Sequence, residues 1–235
     1  MRKFAIAAAL LLAGQAQAHG PMAPAYGGQV VEVGNAWRIE FAVRDGGIRV
    51  WLRDHSDVAV PPARLAGKAT LLAGGRRLDL ALAPDKEFLK ADADVKAAER
   101  LAAVVTLVVE GQAVAARFEQ PQLAMPALGP ATQAGKAVFD QICAACHGTS
   151  LRGTDNGPPL LHPFYAPGHH DDAMMVAAIN VGAKSHHWKF GDMPKPEGVK
   201  PGQDKALVAY IRAVQAVNGI APTPAMTGAG GHAGH

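Results

Sequence analysis

The chain has 235 residues, 18% of them charged, and its formal net charge at pH 7 is +3. Two basic residues, Arg2 and Lys3, lie at the start, and without these two charges the remainder carries +1. This near-neutral remainder does not interleave basic and aromatic side chains, so it gives no reason to expect nucleic-acid binding. At about 100–150 residues per domain, the length suggests one or two domains.

The first residues have the pattern of a secretory signal peptide. After the basic pair, the apolar run 4–13 is shorter than the about 20 residues of a membrane-spanning helix. Ala16–Ala18 matches a small-x-small cleavage site. We therefore expect residues 1–18 to be removed by cleavage after Ala18, leaving a periplasmic protein with no transmembrane span.

Alternating apolar and polar residues predict a β domain over residues 19–118. Trp37, Ile39 and Phe41 would share one face of a strand. Glycine pairs such as Gly74-Gly75 separate these alternating runs. With about seven short strands and regular turns, this region is predicted to be an all-β sandwich.

The composition changes after this region. The stretch 120–130 has three prolines and no charged residue, so residues 119–131 are predicted to be a semi-rigid linker. Residues 132–219 contain helical patterns, and residues 220–235 have the composition of a disordered tail. The predicted fold class is multidomain, with an N-terminal all-β sandwich followed by an all-α domain.

The sequence Cys143-Ala144-Ala145-Cys146-His147 is a C-x-x-C-H motif, which attaches haem c covalently through both thiols. His147 would then be an axial ligand of the iron. The chain has two cysteines, so one haem would use both. A structural zinc site would need a second ligand pair, and a thioredoxin-like dithiol would need a βαβ context. The motif therefore favours haem over these alternatives.

Residues 132–219 resemble a class I mono-haem cytochrome c domain. A first helix is expected to begin at Thr132, and its Gly135 and Phe139 resemble the small and aromatic pair at which the first and last helices of that family cross. A last helix is expected over about 203–217, with Tyr210 at the same crossing. The resemblance implies an all-α cytochrome c domain that carries one haem.

The resemblance also implies a methionine as the second axial ligand. Met193, in Gly-Asp-Met-Pro before the last helix, matches its position. Met174 and Met175 are competitors, although a helical methionine pair more often belongs to the core. His186 and His187 are further alternatives and would give a lower reduction potential.

Two more cofactor-binding residues follow from the resemblance. Pro158, in Gly-Pro-Pro-Leu, matches a proline whose carbonyl accepts a hydrogen bond from the axial histidine. Trp188 could donate its indole N–H to a haem propionate while its ring covers the haem edge. A role for Trp188 in core packing alone is the equal alternative.

Three sequence features suggest a link to copper. The segment 26–32 resembles the start of a β domain in periplasmic metal-efflux adaptor proteins. Cleavage after Ala18 would make His19 the N-terminus, whose amine and imidazole can chelate Cu(II), although an ordinary N-terminus is the favoured interpretation. The clustered histidines around 167–172 and 186–188 resemble those of periplasmic cytochromes that accompany multicopper oxidases, or they form a solvated surface.

These patterns predict a periplasmic c-type cytochrome that transfers single electrons to protein partners, namely an oxidase, a reductase or a multicopper oxidase. The β domain would be a docking or metal-sensing module. The alternative is a copper-handling protein whose haem serves a copper site. A haem enzyme fits less well, because a methionine ligand would fill the open coordination position.

Overall fold

The computed structural model describes residues 23–220, so the predicted signal peptide, His19 and the tail beyond Ile220 lie outside the described residues. Within 23–220, eight antiparallel strands form a sheet in the order β1-β2-β3-β6-β5-β4-β7-β8. The strands are β1 (Gln29–Val33), β2 (Trp37–Arg44), β3 (Gly47–Asp54), β4 (Ala66–Ala73), β5 (Arg76–Asp85), β6 (Phe88–Asp92), β7 (Leu101–Val109) and β8 (Gln112–Gln120).

The sheet folds over a shared core because β5 belongs to both of its halves. Its first part pairs with β4, and its last residues, from Ala83 to Asp85, pair with β6. β1 and β8, at the two edges, come close together. The alternation in β2 then places Ile39, Phe41 and Val43 in one apolar cluster with the inward residues of β7. The predicted β-then-α fold class is confirmed.

The strand β6 is absent from the sequence-based prediction. This strand has only five residues, and its alternation rests on the buried Leu89 and Ala91 alone. A run this short gives little periodicity, and no glycine or asparagine pair marks the turn before it. The eighth strand became visible only through its pairing with β3 and β5.

The C-terminal part is helical. One continuous helical segment comprises α1 (Pro130–Val138), a π-helical turn (Phe139–Cys143) and α2 (Ala144–His147); α3 (Asp172–Val181) and α4 (Gln203–Val217) follow. The first helix begins at Pro130, two residues before the predicted Thr132. Proline suits the first helical position because it lacks the N–H that would have no partner there. No helix within residues 23–220 has the length and hydropathy needed to cross a membrane.

The helices α1 and α4 cross in close contact at Gly135. A Cβ atom at this position would lie 1.9 Å from the carbonyl oxygen of Ala206. Beside this crossing, the rings of Phe139 and Tyr210 pack with their centroids 5.5 Å apart. Glycine therefore allows the two helix backbones to approach, and the aromatic pair fills the space next to them.

The segment between the two domains makes contacts with both. Leu123 donates its backbone N–H to Ala98 of the β domain at 2.8 Å. The side chain of Asn218, just after α4, bonds both the N–H and the carbonyl of Ala124. Leu123 also packs against the helical core. These contacts restrict the movement of the segment relative to either domain.

A buried carboxylate organises the start of the β domain. Glu40 lies on the β2 face opposite the core, yet it is fully buried. Its oxygens accept backbone N–H groups from Ala25, Tyr26 and Gly28 at 2.8–2.9 Å, and the Arg53 guanidinium lies 3.3 Å away. The alternation pattern placed Glu40 on an outward face, but tertiary packing covers that face with the 25–28 segment.

We expect Gly135→Ala to destabilise the protein by about 3 kcal/mol, because the new methyl group would overpack the crossing of α1 and α4. Urea unfolding followed by circular dichroism measures this change. Gly129→Ala is the matched control, since a Cβ atom there meets nothing within 4 Å. Equal stability of both variants would contradict the close helix crossing.

We expect Glu40→Gln to cost about 3 kcal/mol, because it leaves Arg53 without its buried partner and places an amide among N–H donors. The measurement is the urea midpoint of the β-domain transition. Glu32→Gln, an exposed change on the adjacent strand, is the control and should leave this midpoint unchanged. A Glu40→Gln midpoint equal to that of the control would show that the carboxylate is dispensable.

Candidate functional site

A cavity of about 400 Å³ lies in the helical domain, between the helices and the loop that precedes α4. Cys143, Cys146 and His147 line it from the end of the first helical segment, and Met193 lines it from the loop. Apolar residues supply much of the remaining wall, including Leu160, Ile179 and Leu207. The structure thus brings the predicted thiols, imidazole and thioether around one space of ordinary ligand-pocket size.

The two thiols occupy different environments. Cys143 is half-buried at the end of the π-helical turn, and Cys146 is exposed one turn later. Burial, together with the neighbouring Cys146, raises the pKa of the Cys143 thiol to about 11. Both thiols line the cavity, so both can form bonds to a group bound inside it.

The imidazole of His147 is buried and held by a backbone carbonyl. Its Nδ1 lies 2.9 Å from the carbonyl oxygen of Pro158. Because a carbonyl only accepts, Nδ1 carries the proton and Nε2 keeps a free lone pair. Burial lowers the pKa of His147, against a smaller opposing effect of the Pro158 hydrogen bond, so the neutral ring is favoured. A neutral imidazole with one oriented lone pair is the form that binds a metal.

Backbone contacts fix the loop that carries Pro158. The N–H of Gly153 donates to the carbonyl of His147 at 2.8 Å, and the Thr154 hydroxyl donates to the carbonyl of Cys146 at 2.7 Å. Gly157 packs so closely on Cys146 that a Cβ atom would lie 2.9 Å from its carbonyl oxygen. The loop therefore folds back on the C-x-x-C-H helix and presents Pro158 to the histidine ring.

Met193 lies on a loop closed by a short β-bridge. Its backbone N–H and carbonyl bond the carbonyl and N–H of Ala183 at 2.8 and 2.9 Å. The competing Met174 and Met175 also line the cavity from α3, where Met175 is buried in the apolar core and Met174 is 50% exposed. Met193 is half-buried at the cavity wall. Because the bridge to Ala183 fixes the backbone of Met193, the loop and not a helix sets the position of its thioether.

Trp188 also lines the cavity, but its indole N–H already has a partner. Its Nε1 donates to the Tyr165 hydroxyl at 3.0 Å. The ring makes edge contacts with His162 and Phe164, at centroid distances of 4.8 and 5.1 Å. These contacts support the core-packing interpretation, and a propionate contact would require the N–H to change partner.

Local sequence patterns identify two histidine pairs but do not show whether the pairs are in contact. In the structure, His169 and His170 meet His186 and His187 at one edge of the cavity. Burial and the neighbouring imidazoles lower the pKa of His187 to about 4. Burial alone lowers the pKa of the adjacent His162 to about 4. These two rings are therefore neutral at pH 7.

The β domain packs against the loop that carries Pro158. The Arg44 guanidinium, on β2, donates to the backbone carbonyls of Arg152 and Tyr26 at 3.1 and 2.9 Å. Arg49, on β3, forms an ion pair with Asp155 at 2.9 Å. Burial lowers the pKa of Arg44 to about 10, which still leaves it charged at neutral pH.

The β domain also contacts the loop that carries Met193. Lys189 donates its backbone N–H to the carbonyl of Ala25 at 2.9 Å. Phe190 packs edge-on against Tyr26, whose ring stacks on Trp51 of β3 at 4.8 Å. The two loops that flank the cavity therefore rest on one surface of the β domain.

The residues present fit a covalently attached haem. The cavity provides two thiols spaced by two residues, an oriented neutral imidazole, a thioether and an apolar wall. Gly148 and Gly153, with φ of +74° and +77°, let the loop fold back closely on itself, because a Cβ atom at either position would meet loop backbone at 3.0 Å or less. This donor set matches the attachment and ligation chemistry of haem c.

Residues 132–215 match the family described as Cytochrome c, over a stretch that includes the C-x-x-C-H motif and Met193. The match does not extend to the β domain, so the likeness of that domain to efflux adaptors stays a prediction. Comparison of the chain with curated proteins and with solved structures found no match. The chain thus consists of an eight-stranded β domain followed by a cytochrome c domain, the haem-binding domain of electron-transfer proteins.

Proposed function

We propose that the protein is a periplasmic electron carrier with one covalently bound haem c, held by Cys143 and Cys146 and ligated by His147 and Met193. The observation that carries this proposal is that all four side chains line one largely apolar cavity in a cytochrome c domain. When bound, the haem supplies reversible one-electron redox chemistry.

The chain's own residues would hold and orient this group. The Pro158 carbonyl fixes the His147 ring through Nδ1–H and increases the basicity of its Nε2. The bridge between Ala183 and Met193 sets the position of the thioether. Methionine ligation raises the reduction potential, and a low-dielectric wall that excludes water acts in the same direction.

The number of thiols supports a single haem. The chain contains two cysteines, and both line the cavity. With both axial positions filled by the protein, the site would exchange electrons without binding a substrate. Partners would touch the rim of the cavity through brief contacts, typically below about 1,200 Å² of buried surface.

The contacts of the β domain support a structural role for it, in addition to the predicted docking role. Arg44 and Arg49 hold the Pro158 loop, and the 25–26 segment holds the Met193 loop. A surface that supports both loops would keep the two ligand-bearing segments at a fixed separation. Such rigidity suits electron transfer, because a site that moves little on changing charge exchanges electrons faster.

The periplasmic location is proposed from the signal-like sequence of residues 1–18. The copper-handling alternative rests on His19, on the tail histidines His232 and His235, and on the resemblance of the stretches 167–172 and 186–188 to periplasmic cytochromes that accompany multicopper oxidases. His19 and the tail lie outside the described range 23–220, so that alternative stays a prediction.

Exported, haem-loaded protein tests the proposal directly. Intact mass should show one added haem on the chain that begins at His19, and redox titration should follow a one-electron curve. Carbon monoxide should not bind, because both axial positions are filled. A Cys143→Ala/Cys146→Ala double variant should retain no covalent haem. Binding of carbon monoxide or nitrite at low concentration would instead favour a haem enzyme.

We expect Met193→Ala to abolish the weak red-end absorption band that marks a sulfur ligand on oxidised haem and to lower the reduction potential. Visible spectroscopy and redox titration measure the two effects. Met174→Leu and Met175→Leu are matched controls on α3 and should retain the band. Persistence of the band in Met193→Ala, or its loss in either control, would reject Met193 as the ligand.

A further inference from the structure

Four histidines from two separate segments converge at the edge of the haem cavity. His169 and His170 follow the short helical turn Pro163–Tyr165, and His186 and His187 lie in the loop closed by the bridge to Met193. The Nε2 atoms of His169 and His187 are 3.0 Å apart, and those of His170 and His186 are 3.2 Å apart. We name this group the imidazole cluster.

In the pair formed by His170 and His186, the tautomers of the two rings place like partial charges opposite each other. His170 directs Nδ1 at the carbonyl of Phe164 at 2.5 Å, and His186 directs Nδ1 at the carbonyl of Lys184 at 2.9 Å. A carbonyl oxygen only accepts, so both Nδ1 atoms carry the proton. In neutral rings, both Nε2 atoms then present lone pairs to each other at 3.2 Å. A cation between the two nitrogens removes this repulsion.

The spacing of the nitrogens suits a tetrahedral metal ion. A Zn–N bond of about 2.0 Å in tetrahedral geometry places neighbouring ligand nitrogens about 3.3 Å apart. Both close pairs of the imidazole cluster are near this value. One ligand atom each from His169, His170 and His187 lies within 4.8 Å of the other two, and His186 joins this group through its contact with His170.

The supports of these rings are those found around metal-binding histidines. The backbone carbonyls of Phe164 and Lys184 hold His170 and His186 with Nε2 facing the cluster. The Phe164 ring stacks on His187, with centroids 4.3 Å apart and an interplanar angle of 20°. This packing reduces the rotamer freedom that metal binding would otherwise have to remove.

Two basic side chains near the imidazole cluster, Arg212 and Lys184, are each paired with a carboxylate. Arg212 donates to the carbonyl of His170, but the Asp172 carboxylate lies 2.7 Å from its Nε. Lys184 is paired with Asp192 at 2.6 Å. The candidate ligands are imidazole nitrogens, which favour zinc or copper over the hard, oxygen-preferring calcium and magnesium.

From these contacts, we infer that the imidazole cluster of His169, His170, His186 and His187 binds one divalent zinc or copper ion at the edge of the haem cavity. The inference does not rest on the proposed electron-carrier function, in which Cys143, Cys146, His147 and Met193 hold the haem, although His170, His186 and His187 also line its cavity. It also differs from the predicted copper site at His19, which would use the N-terminal amine.

The test uses full-length, haem-loaded protein freed of exchangeable metal with a chelator. Titration with Zn²⁺ in a calorimeter should show one ion per chain. Titration with Cu²⁺ should give an electron paramagnetic resonance spectrum with hyperfine splitting from at least three nitrogens. His169→Gln and His187→Gln should each weaken binding on the order of 100-fold or more, since loss of a ligand exceeds loss of an outer-shell partner.

Two controls locate the site. His55→Gln removes an exposed histidine of the β domain and should bind metal like the parent protein. A His19→Ala/His232→Ala/His235→Ala variant should also bind normally, because it leaves the imidazole cluster intact. The haem spectrum and the unfolding midpoint confirm that each variant is folded; His169 is exposed, so its replacement perturbs packing least.

Three results would overturn the inference. The first is the absence of Zn²⁺ and Cu²⁺ binding to the parent protein at micromolar free metal. A proton, and not a metal ion, would then lie between the Nε2 lone pairs of His170 and His186. The second is unchanged affinity in His169→Gln and His187→Gln. The third is loss of binding in the triple variant. Each would leave the haem mass and spectrum unaltered, so the electron-carrier proposal is judged separately.

Discussion

The contact between His147 and the carbonyl of Pro158 is the constraint on which the arrangement of the site depends. It fixes the tautomer of a buried imidazole and holds the loop after the C-x-x-C-H motif against the helix that precedes it. The same loop carries Asp155 and Arg152, through which it meets Arg49 and Arg44 of the β domain. One loop thus links the ligand, the helix end and the second domain.

The β domain organises its own side of this contact through buried charge. Glu40 gathers three backbone N–H groups of the 25–28 segment, which then meets Lys189 and Phe190 beside the Met193 loop. A buried carboxylate is costly unless its oxygens are fully hydrogen-bonded, and here they are. The helical domain therefore rests on a polar network in its neighbour, and these contacts support the two loops that flank the cavity.

Local patterns predicted much of this protein. The spacing of the C-x-x-C-H motif indicates attachment chemistry without reference to fold, and the strand alternation from Trp37 predicts a β domain because side chains alternate faces along any strand. The Gly135 and Phe139 pair was identified by resemblance, and the packing of α1 on α4 explains its residue types. β6 was missed because a five-residue strand gives little periodicity, and the start at Pro130 was missed because that proline was counted as part of the linker.

The sequence by itself determined the haem chemistry, the order of the two domains and the identity of the candidate ligands, since these depend on residue type and short spacing. Only the tertiary structure decided which distant residues meet. It buried Glu40, which alternation placed on the β2 face opposite the apolar residues, and it gave the Trp188 N–H to Tyr165. It also joined two histidine pairs separated by 16–18 positions into one cluster. Contacts between such distant residues depend on how loops pack against each other, and no local pattern of residues encodes that packing.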